Sequence, residues 1–148
     1  MSSINTGRVV AGGVAAGVTL IVADFAWQFV LKDDMTAMID RLRLDPAVME
    51  PSHAVPWLFV DLLYGILIVL NYAAMRPRFG PGPKTALLAG LILYAAVTAI
   101  LYGFMTMGVF TEGQFLKSAA CYAVSTALAA LVGGWIYKEA REHVSKLT

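Results

Sequence analysis

The stretch VVAGGVAAGVTLIVADFAWQFVL, from Val9 to Leu31, contains no proline and no basic residue, and its one acid is Asp24. A helix needs roughly 20 residues, at 1.5 Å per residue, to cross about 30 Å of hydrocarbon, so this stretch is long enough to span a membrane. Three more apolar stretches follow, at residues 54–75, 85–110 and about 118–137. We therefore predict an all-α integral membrane protein with four transmembrane helices in a single domain, residues 1–148.

The composition supports a membrane protein and excludes several other classes. Of the 148 residues, 59% are hydrophobic and 14% are charged, and the mean hydropathy is +0.70. A typical soluble domain has about 25% charged residues. The net charge of +1 excludes a nucleic-acid-binding surface. The sequence has no nucleotide loop, zinc motif or nucleophile–base set, so it implies no cofactor and no metal, and it does not indicate an enzyme.

Basic residues near the ends of the apolar stretches predict the orientation. Seven of the eleven lysines and arginines lie in the N-terminus, the second loop and the C-terminus, and four lie on the other side. Cytoplasmic loops carry the excess of Lys and Arg, so both termini are predicted to be cytoplasmic. Trp27 and Trp57, near the outer ends of the first two stretches, are typical of an aromatic belt at the membrane interface.

The first outer loop, residues 32–53, is the longest connection. It places Met35, Met38, Ile39 and Leu42 at helical spacing, so they form a one-sided apolar stripe. This pattern predicts a short amphipathic helix that lies on the membrane surface.

The second and third loops are short. Residues 76–84 contain three prolines and two glycines, which predicts a stiff connector that is not helical, with Pro83 in the first turn of the third helix. The third loop is predicted at residues 111–114. Short connections join antiparallel neighbours, so we expect an up-down-up-down four-helix bundle.

Small residues recur every four positions in three of the stretches. They are Gly13 and Gly17 in the first, Ala95, Ala99 and Gly103 in the third, and Ala119, Ala123 and Ala127 in the fourth. Such stripes let helix backbones approach closely in a membrane. They could pack within one bundle, or they could contact a second copy or a partner subunit.

Two aspartates inside the apolar stretches are the clearest indication of chemistry. Asp24 lies seven residues before Leu31, and Asp61 lies six residues after Val55. At 1.5 Å per residue, both are expected roughly 10 Å inside the outer boundary, where antiparallel helices could bring them together. Two close carboxylates in a low dielectric cannot both ionise easily and could share a proton.

The aspartates have two possible roles. They could be structural, held by hydrogen bonds to Gln28, Tyr64 or Tyr122. Alternatively, the same residues could bind a proton, a cation or the polar head of a ligand. A carboxylate in hydrocarbon costs roughly 2.5–3.5 kcal/mol on insertion scales, so it normally has a partner or a function.

A second candidate site is basic. Arg76, Arg78 and Lys84 flank the predicted connector at the start of the third helix, where three cations and free backbone N–H groups could hold a lipid phosphate. Ordinary positive-inside topology explains these residues equally well.

The connector and several shorter pieces resemble a known group of proteins. The run RPRFGPGPKTA, from Arg76 to Ala86, is similar to that of small bacterial four-span membrane proteins without an established function. Matching pieces elsewhere are Ala15-Ala16-Gly17, Asp24, Leu44-Asp45-Pro46 and Val132-Gly133-Gly134-Trp135. The resemblance implies a bacterial inner-membrane protein with four helices, and it implies no activity.

Three functions follow from these observations. The leading hypothesis is a small accessory or assembly subunit of a homo-oligomeric or larger membrane complex, because the chain has little mass outside the spans, many small-residue faces and no catalytic set. The alternative is binding or transport of a proton, cation or small ligand at Asp24 and Asp61. A membrane enzyme acting on lipid or quinone is third, and it would need a cavity near Tyr64, Tyr94 and Tyr122.

Overall fold

The computed structural model describes residues 4–137, and this part of the chain is helical throughout apart from its connections. Its four long helices are α1 (Thr6–Leu42), α2 (Val55–Phe79), α3 (Pro83–Thr106) and α4 (Glu112–Ile136), and short 3₁₀ turns cover Pro46–Met49 and Pro51–Ala54. All four are long and apolar enough to cross a membrane. The prediction of an all-α, multi-pass membrane protein is therefore confirmed.

The helices form a bundle in which each packs against its neighbours in the chain. In addition, α1 packs against α4, and α2 crosses the centre to contact α4. This arrangement agrees with the predicted up-down-up-down bundle. We call the end that carries Asn5, Gly80 and Tyr137 the inner end, and the opposite end the outer end.

Glycines set the distance between α1 and α2. A Cβ added at Gly65 of α2 would overlap the backbone of Gly17 and Gly13 on α1. On the other side of α1, a Cβ at Gly12 would lie 2.8 Å from the carbonyl oxygen of Gly133 on α4. The stripe of Gly13 and Gly17 therefore packs within the bundle, where dispersion between close backbones replaces the missing hydrophobic driving force.

The small-residue stripe of α3 does not pack in this way. Ala95 and Ala99 are exposed, and nothing lies within 4 Å of a Cβ built at Gly103. The core lies between α1, α2, α4 and the inner half of α3, around Ala16, Ile68 and Ala89. One face of α3 is therefore left without a partner in the described chain.

The first outer loop does not form a separate surface helix, so that prediction is wrong. The segment is helical, but it continues α1 without a break, so that α1 has 37 residues and a length of roughly 55 Å. Its apolar stripe is partly covered by protein: Ile39 is 5% exposed, and Met38 lines a small cavity with Phe110 of the α3–α4 connection, whereas Met35 is 38% exposed.

Polar contacts explain why the extension stays attached to the bundle. The guanidinium of Arg41 donates hydrogen bonds to the carbonyls of Gly108 and Val109, at 2.6 and 2.7 Å. The side chain of Gln114 donates to the carbonyl of Asp34 at 2.7 Å, and Lys117 pairs with the Asp34 carboxylate at 2.7 Å. These contacts join the end of α1 to the start of α4.

The connectors also differ from their predicted bounds. The α2 helix continues through Pro77 to Phe79, because the fixed φ of proline is compatible with a helix and only one hydrogen bond is lost near the helix end. The connector is therefore only Gly80-Pro81-Gly82, where both glycines have positive φ. Pro83 begins α3, as predicted. The third connection spans residues 107–111, and Thr111 and Gln114 form a capping box on α4.

We call the contact of Gly65 with Gly13 and Gly17 the glycine crossing. It predicts opposite effects of two substitutions on stability. Gly65→Ala should lower the free energy of unfolding by about 1–3 kcal/mol, because its methyl group overlaps α1 backbone that cannot move aside. Gly103→Ala is the matched control, since its methyl group meets open space and alanine favours a helix by about 1 kcal/mol. Thermal unfolding in one detergent measures both, and equal midpoints would show that the crossing does not determine stability.

Candidate functional site

The backbones of Asp24 and Asp61 do not lie at the same level between the inner and outer ends of the bundle. The backbone carbonyl of Asp61 lies beside Gly17. Asp24 follows Gly17 by seven residues, so its backbone lies roughly 10 Å further toward the outer end. The prediction of equal depth is therefore wrong, because the position of the glycine crossing, rather than distance from the span ends, sets the register of α1 and α2.

The two carboxylates nevertheless lean toward each other. A Cα–Cβ bond in a helix tilts toward the N-terminus of that helix. Asp24 on α1 therefore leans toward the inner end, and Asp61 on the antiparallel α2 leans toward the outer end. The two side chains are close enough for the charge of Asp24 to act on Asp61. The lean reduces the offset between the two side chains, and no hydrogen bond joins them in the described chain.

Helix α4 contributes two further groups to this region. Tyr122 lies within range of the charges of both aspartates, and the Cys121 thiol lies within range of Asp24. The site therefore combines groups from three helices: Asp24, Asp61 and Tyr122 supply oxygen atoms, and Cys121 supplies sulfur. We call Asp24, Asp61 and Tyr122 the carboxylate site.

The hydrogen bonds expected to hold the aspartates are not formed. Gln28 is exposed, and Tyr64 packs against the buried core. Within residues 4–137, neither aspartate carboxylate accepts a hydrogen bond from these residues or from Tyr122, and neither pairs with a lysine or arginine. The site therefore carries negative charge unless a proton or a cation neutralises it.

Trp27 contributes a hydrogen bond between α1 and α4 near this site, which the sequence analysis did not predict. Its indole N–H donates to the Ser125 hydroxyl at 2.7 Å, and that hydroxyl donates to the carbonyl of Cys121 at 3.1 Å. The ring is thus turned into the bundle, so the aromatic-belt interpretation is wrong for Trp27. The available signal was its spacing, because Trp27 follows Asp24 by three residues and shares its helix face.

Most of the buried residues of α2 and α3 lie in the inner halves of these helices. Their inner halves are joined where Asn71 donates to the carbonyl of Ala89 at 2.9 Å. Eleven residues closer to the outer end, on the same two helix faces, are Val60 and Ile100. These are 50% and 60% exposed. The outer halves of the two helices therefore expose apolar side chains on these faces, and Asp61, next to Val60 in the sequence, is partly exposed.

The basic candidate residues do not form one cluster. Arg76 is only 6% exposed, and its guanidinium lies 5.7 Å from the ring centre of Tyr72 and 5.3 Å from that of Tyr137. Arg78 stacks on Phe79 at the surface, and Lys84 is exposed in the first turn of α3. Arg76 is thus part of the inner core, and the predicted phosphate site is left with two exposed cations.

The tyrosines required for the third hypothesis do not line a described cavity. One cavity lies beside Met35 and Phe110, and a lipid-facing groove lies beside Val18, Ala23 and Leu128. Neither includes Tyr64, Tyr94 or Tyr122. Nothing in these two cavities supports an enzyme that acts on lipid or quinone.

The chain matches no protein-family model, no curated protein and no solved structure. The resemblance based on the Arg76–Ala86 run therefore stays a prediction. Function must be argued from the geometry of the chain itself.

The Trp27–Ser125 hydrogen bond predicts a difference between two tryptophans. Trp27→Phe should lower the free energy of unfolding by about 1 kcal/mol, the net value of one hydrogen bond. Trp135→Phe is the control, because Trp135 is 80% exposed and should change stability little. Denaturant unfolding followed by helical circular dichroism measures both. An unchanged midpoint for Trp27→Phe would mean that the bond contributes nothing to stability.

Proposed function

We propose that this protein binds a proton or a small cation at the carboxylate site and passes it through the membrane. The observation that carries the proposal is that Asp24 and Asp61, both only partly exposed on two packed spans, have no neutralising protein group in the described chain. Ionisable residues in this position are rare in membrane helices and usually mark ion or proton pathways.

The ligand class follows from the donor atoms. Carboxylate and phenol oxygens are hard donors, which suit protons and hard cations rather than soft metals. Among the residues described, no group of three or more His, Cys, Asp or Glu side chains could hold a metal ion. Two carboxylates that share one proton, or that exchange it for a cation, would lower the cost of keeping this site in a membrane.

Isosteric neutralisation tests the proposal. In proteoliposomes, Asp24→Asn and Asp61→Asn should each reduce proton or sodium flux to that of empty vesicles, while expression and helical content stay unchanged. Asp33→Asn is the control, because Asp33 is exposed near the outer end of α1 and should not alter flux. Wild-type flux in both site variants would exclude this function, and variants that fail to assemble would assign the aspartates a structural role.

A second measurement identifies the reactive carboxyl group without assuming an ion. A hydrophobic carbodiimide labels protonated carboxyl groups in apolar surroundings, and mass spectrometry locates the label. We expect labelling at Asp24 or Asp61 and slower labelling in sodium or lithium salt if a cation competes with the proton. Labelling that is confined to the outer acids, such as Asp33 and Asp40, would contradict the proposal.

The second candidate is an accessory or assembly role, with the chain in a homo-oligomer or a larger membrane complex. The observation that favours it is the exposed face of α3 with Ala95, Ala99 and Gly103, where small residues would permit close approach of another helix. In this proposal the protein is in a bacterial inner membrane, with both termini cytoplasmic, as the distribution of basic residues indicates. Arg78 and Lys84 would then face anionic lipid head groups.

A bulky substitution on that face distinguishes the two candidates. Ala99→Leu should weaken self-association or partner binding roughly tenfold, or about 1.4 kcal/mol, and leave ion flux unchanged. Ala120→Leu, at an exposed position of α4, is the control. Native mass spectrometry of protein extracted from its own membrane gives the stoichiometry. A monomer in every sample would exclude the accessory role.

A further inference from the structure

Helix α2 begins at a deeper level of the bundle than the outer ends of the other three helices. The carbonyl of Asp61 lies beside Gly17 of α1. Asp61 lies six residues from the start of α2 at Val55, and Gly17 lies seven residues from Asp24. At 1.5 Å per residue, both separations are roughly 10 Å toward the outer end. The first turn of α2 therefore lies at about the level of Asp24, on the face of α1 that carries Gly17.

The other three helices continue beyond this level. Gln114, near the start of α4, donates to the carbonyl of Asp34, which lies ten residues, or about 15 Å, further along α1 than Asp24. Arg41 bonds to the α3–α4 connection, so α3 also extends past the start of α2. Beyond the first turn of α2, the bundle therefore has three helices instead of four. We call the space bounded by the first turn of α2 and by Asp24 and Gln28 of α1 the outer notch.

The connection from α1 to α2 brings polar, exposed residues to this level. Its two 3₁₀ turns contact each other and the start of α2, and none of their residues is buried. Glu50, Ser52 and His53, which directly precede α2, are exposed. Charged and polar side chains are costly to remove from water. Water therefore reaches the start of α2, and this is also the level of Asp24.

Gln28 is a second indication of water in the outer notch. It follows Asp24 by four residues, so the two side chains lie on the same face of α1. Its amide is exposed and makes no hydrogen bond within residues 4–137. An amide without a partner is costly in hydrocarbon. The next residue, Phe29, is 86% exposed and is suited to lipid, so adjacent positions of α1 face two different environments.

The inner side of the carboxylate site is densely packed. The glycine crossing brings the backbones of α1 and α2 together one turn inward of Asp61. Fully buried side chains from three helices continue the packing toward the inner end: Ala16, Ile68, Val69 and Ala129. Close-packed interiors have few voids larger than a water molecule. The site therefore has polar, exposed groups on its outer side and a packed core on its inner side.

From this asymmetry we propose that the outer notch is a water-filled entrance, through which the carboxylate site takes up and releases its proton or cation on the outer side. Asp24, level with the start of α2, meets an incoming ion first. The backbone of Asp61 lies six residues, or about 9 Å, further inward along α2, so Asp61 is reached second. The route of the ion rests on the proposed function of the carboxylate site, but the presence of water in the notch does not.

Reaction of single cysteines with a cationic, membrane-impermeant thiol reagent tests the entrance. Cys121 is replaced by alanine, and Gln28→Cys is compared in sealed vesicles with Phe29→Cys, the matched control at the same depth. We expect Gln28→Cys to react roughly tenfold faster, because the thiolate is the reactive form and apolar surroundings suppress it. Ser52→Cys and Lys84→Cys mark the outer and inner sides. Gln28→Cys should react only when the reagent is on the side that labels Ser52→Cys.

The outcomes separate the entrance from the proposed function. Equal rates for Gln28→Cys and Phe29→Cys, or reaction of Gln28→Cys from the side of Lys84→Cys, overturn the entrance. The attached cation should also block proton or sodium flux, so flux that persists after Gln28→Cys has reacted completely overturns the route. Fast reaction of a protein that shows no flux before labelling supports the water-filled notch and contradicts the proposed function alone.

A second measurement needs no variant. A water-soluble carbodiimide and a charged amine modify carboxyl groups that water reaches, and mass spectrometry locates the label in the unsubstituted protein. We expect modification of Asp24 as well as of Asp33, which is exposed near the outer end of α1. Modification of Asp33 without Asp24 would overturn the entrance, even if Gln28→Cys failed to assemble.

Discussion

The contact of Gly13 and Gly17 with Gly65 is the constraint on which the rest of the structure depends. Helices in lipid have no hydrophobic driving force to associate, so their stability comes from close packing of backbones. A side chain at Gly65 would overlap the α1 backbone, which fixes both the distance and the register of α1 and α2. The same register decides where Asp24 and Asp61 lie relative to each other, so packing and the candidate chemistry have one origin.

Helix α1 transmits this constraint to the outer end of the bundle. At its inner half it is fixed by glycine contacts to α2 and α4, and at its far end Arg41 and Asp34 bind the α3–α4 region. A continuous helix between these two anchors holds Asp24 and Trp27 at set positions along α4. The α2 helix has the first type of anchor, which includes Asp61 and Leu62 beside Gly17, but no side-chain hydrogen bond in the described chain joins residues 55–63 to another helix.

Hydropathy and helical spacing predicted the number, the order and the approximate bounds of the helices, because these depend on local properties of each stretch. The extension of α1 could not be predicted, since its stripe of Met35, Met38 and Ile39 is equally suited to a membrane surface and to the protein surface that covers it. For the same reason, the inward turn of Trp27 was missed. The convergence of the aspartates depends on helix rotation and register, which no single helix determines by itself.

The absence of a neutralising partner at the carboxylate site, within residues 4–137, is consistent with an ion-binding role. Two carboxylates with a purely structural role would be stabilised by dense packing and by hydrogen bonds to their charged oxygens. Lys117 makes such a bond to Asp34. Asp24 and Asp61 lack such bonds within residues 4–137, although both are only partly exposed. The glycine crossing holds the Asp61 backbone beside Gly17, so the packing that fixes the register of α1 and α2 also fixes the offset between the two carboxylates.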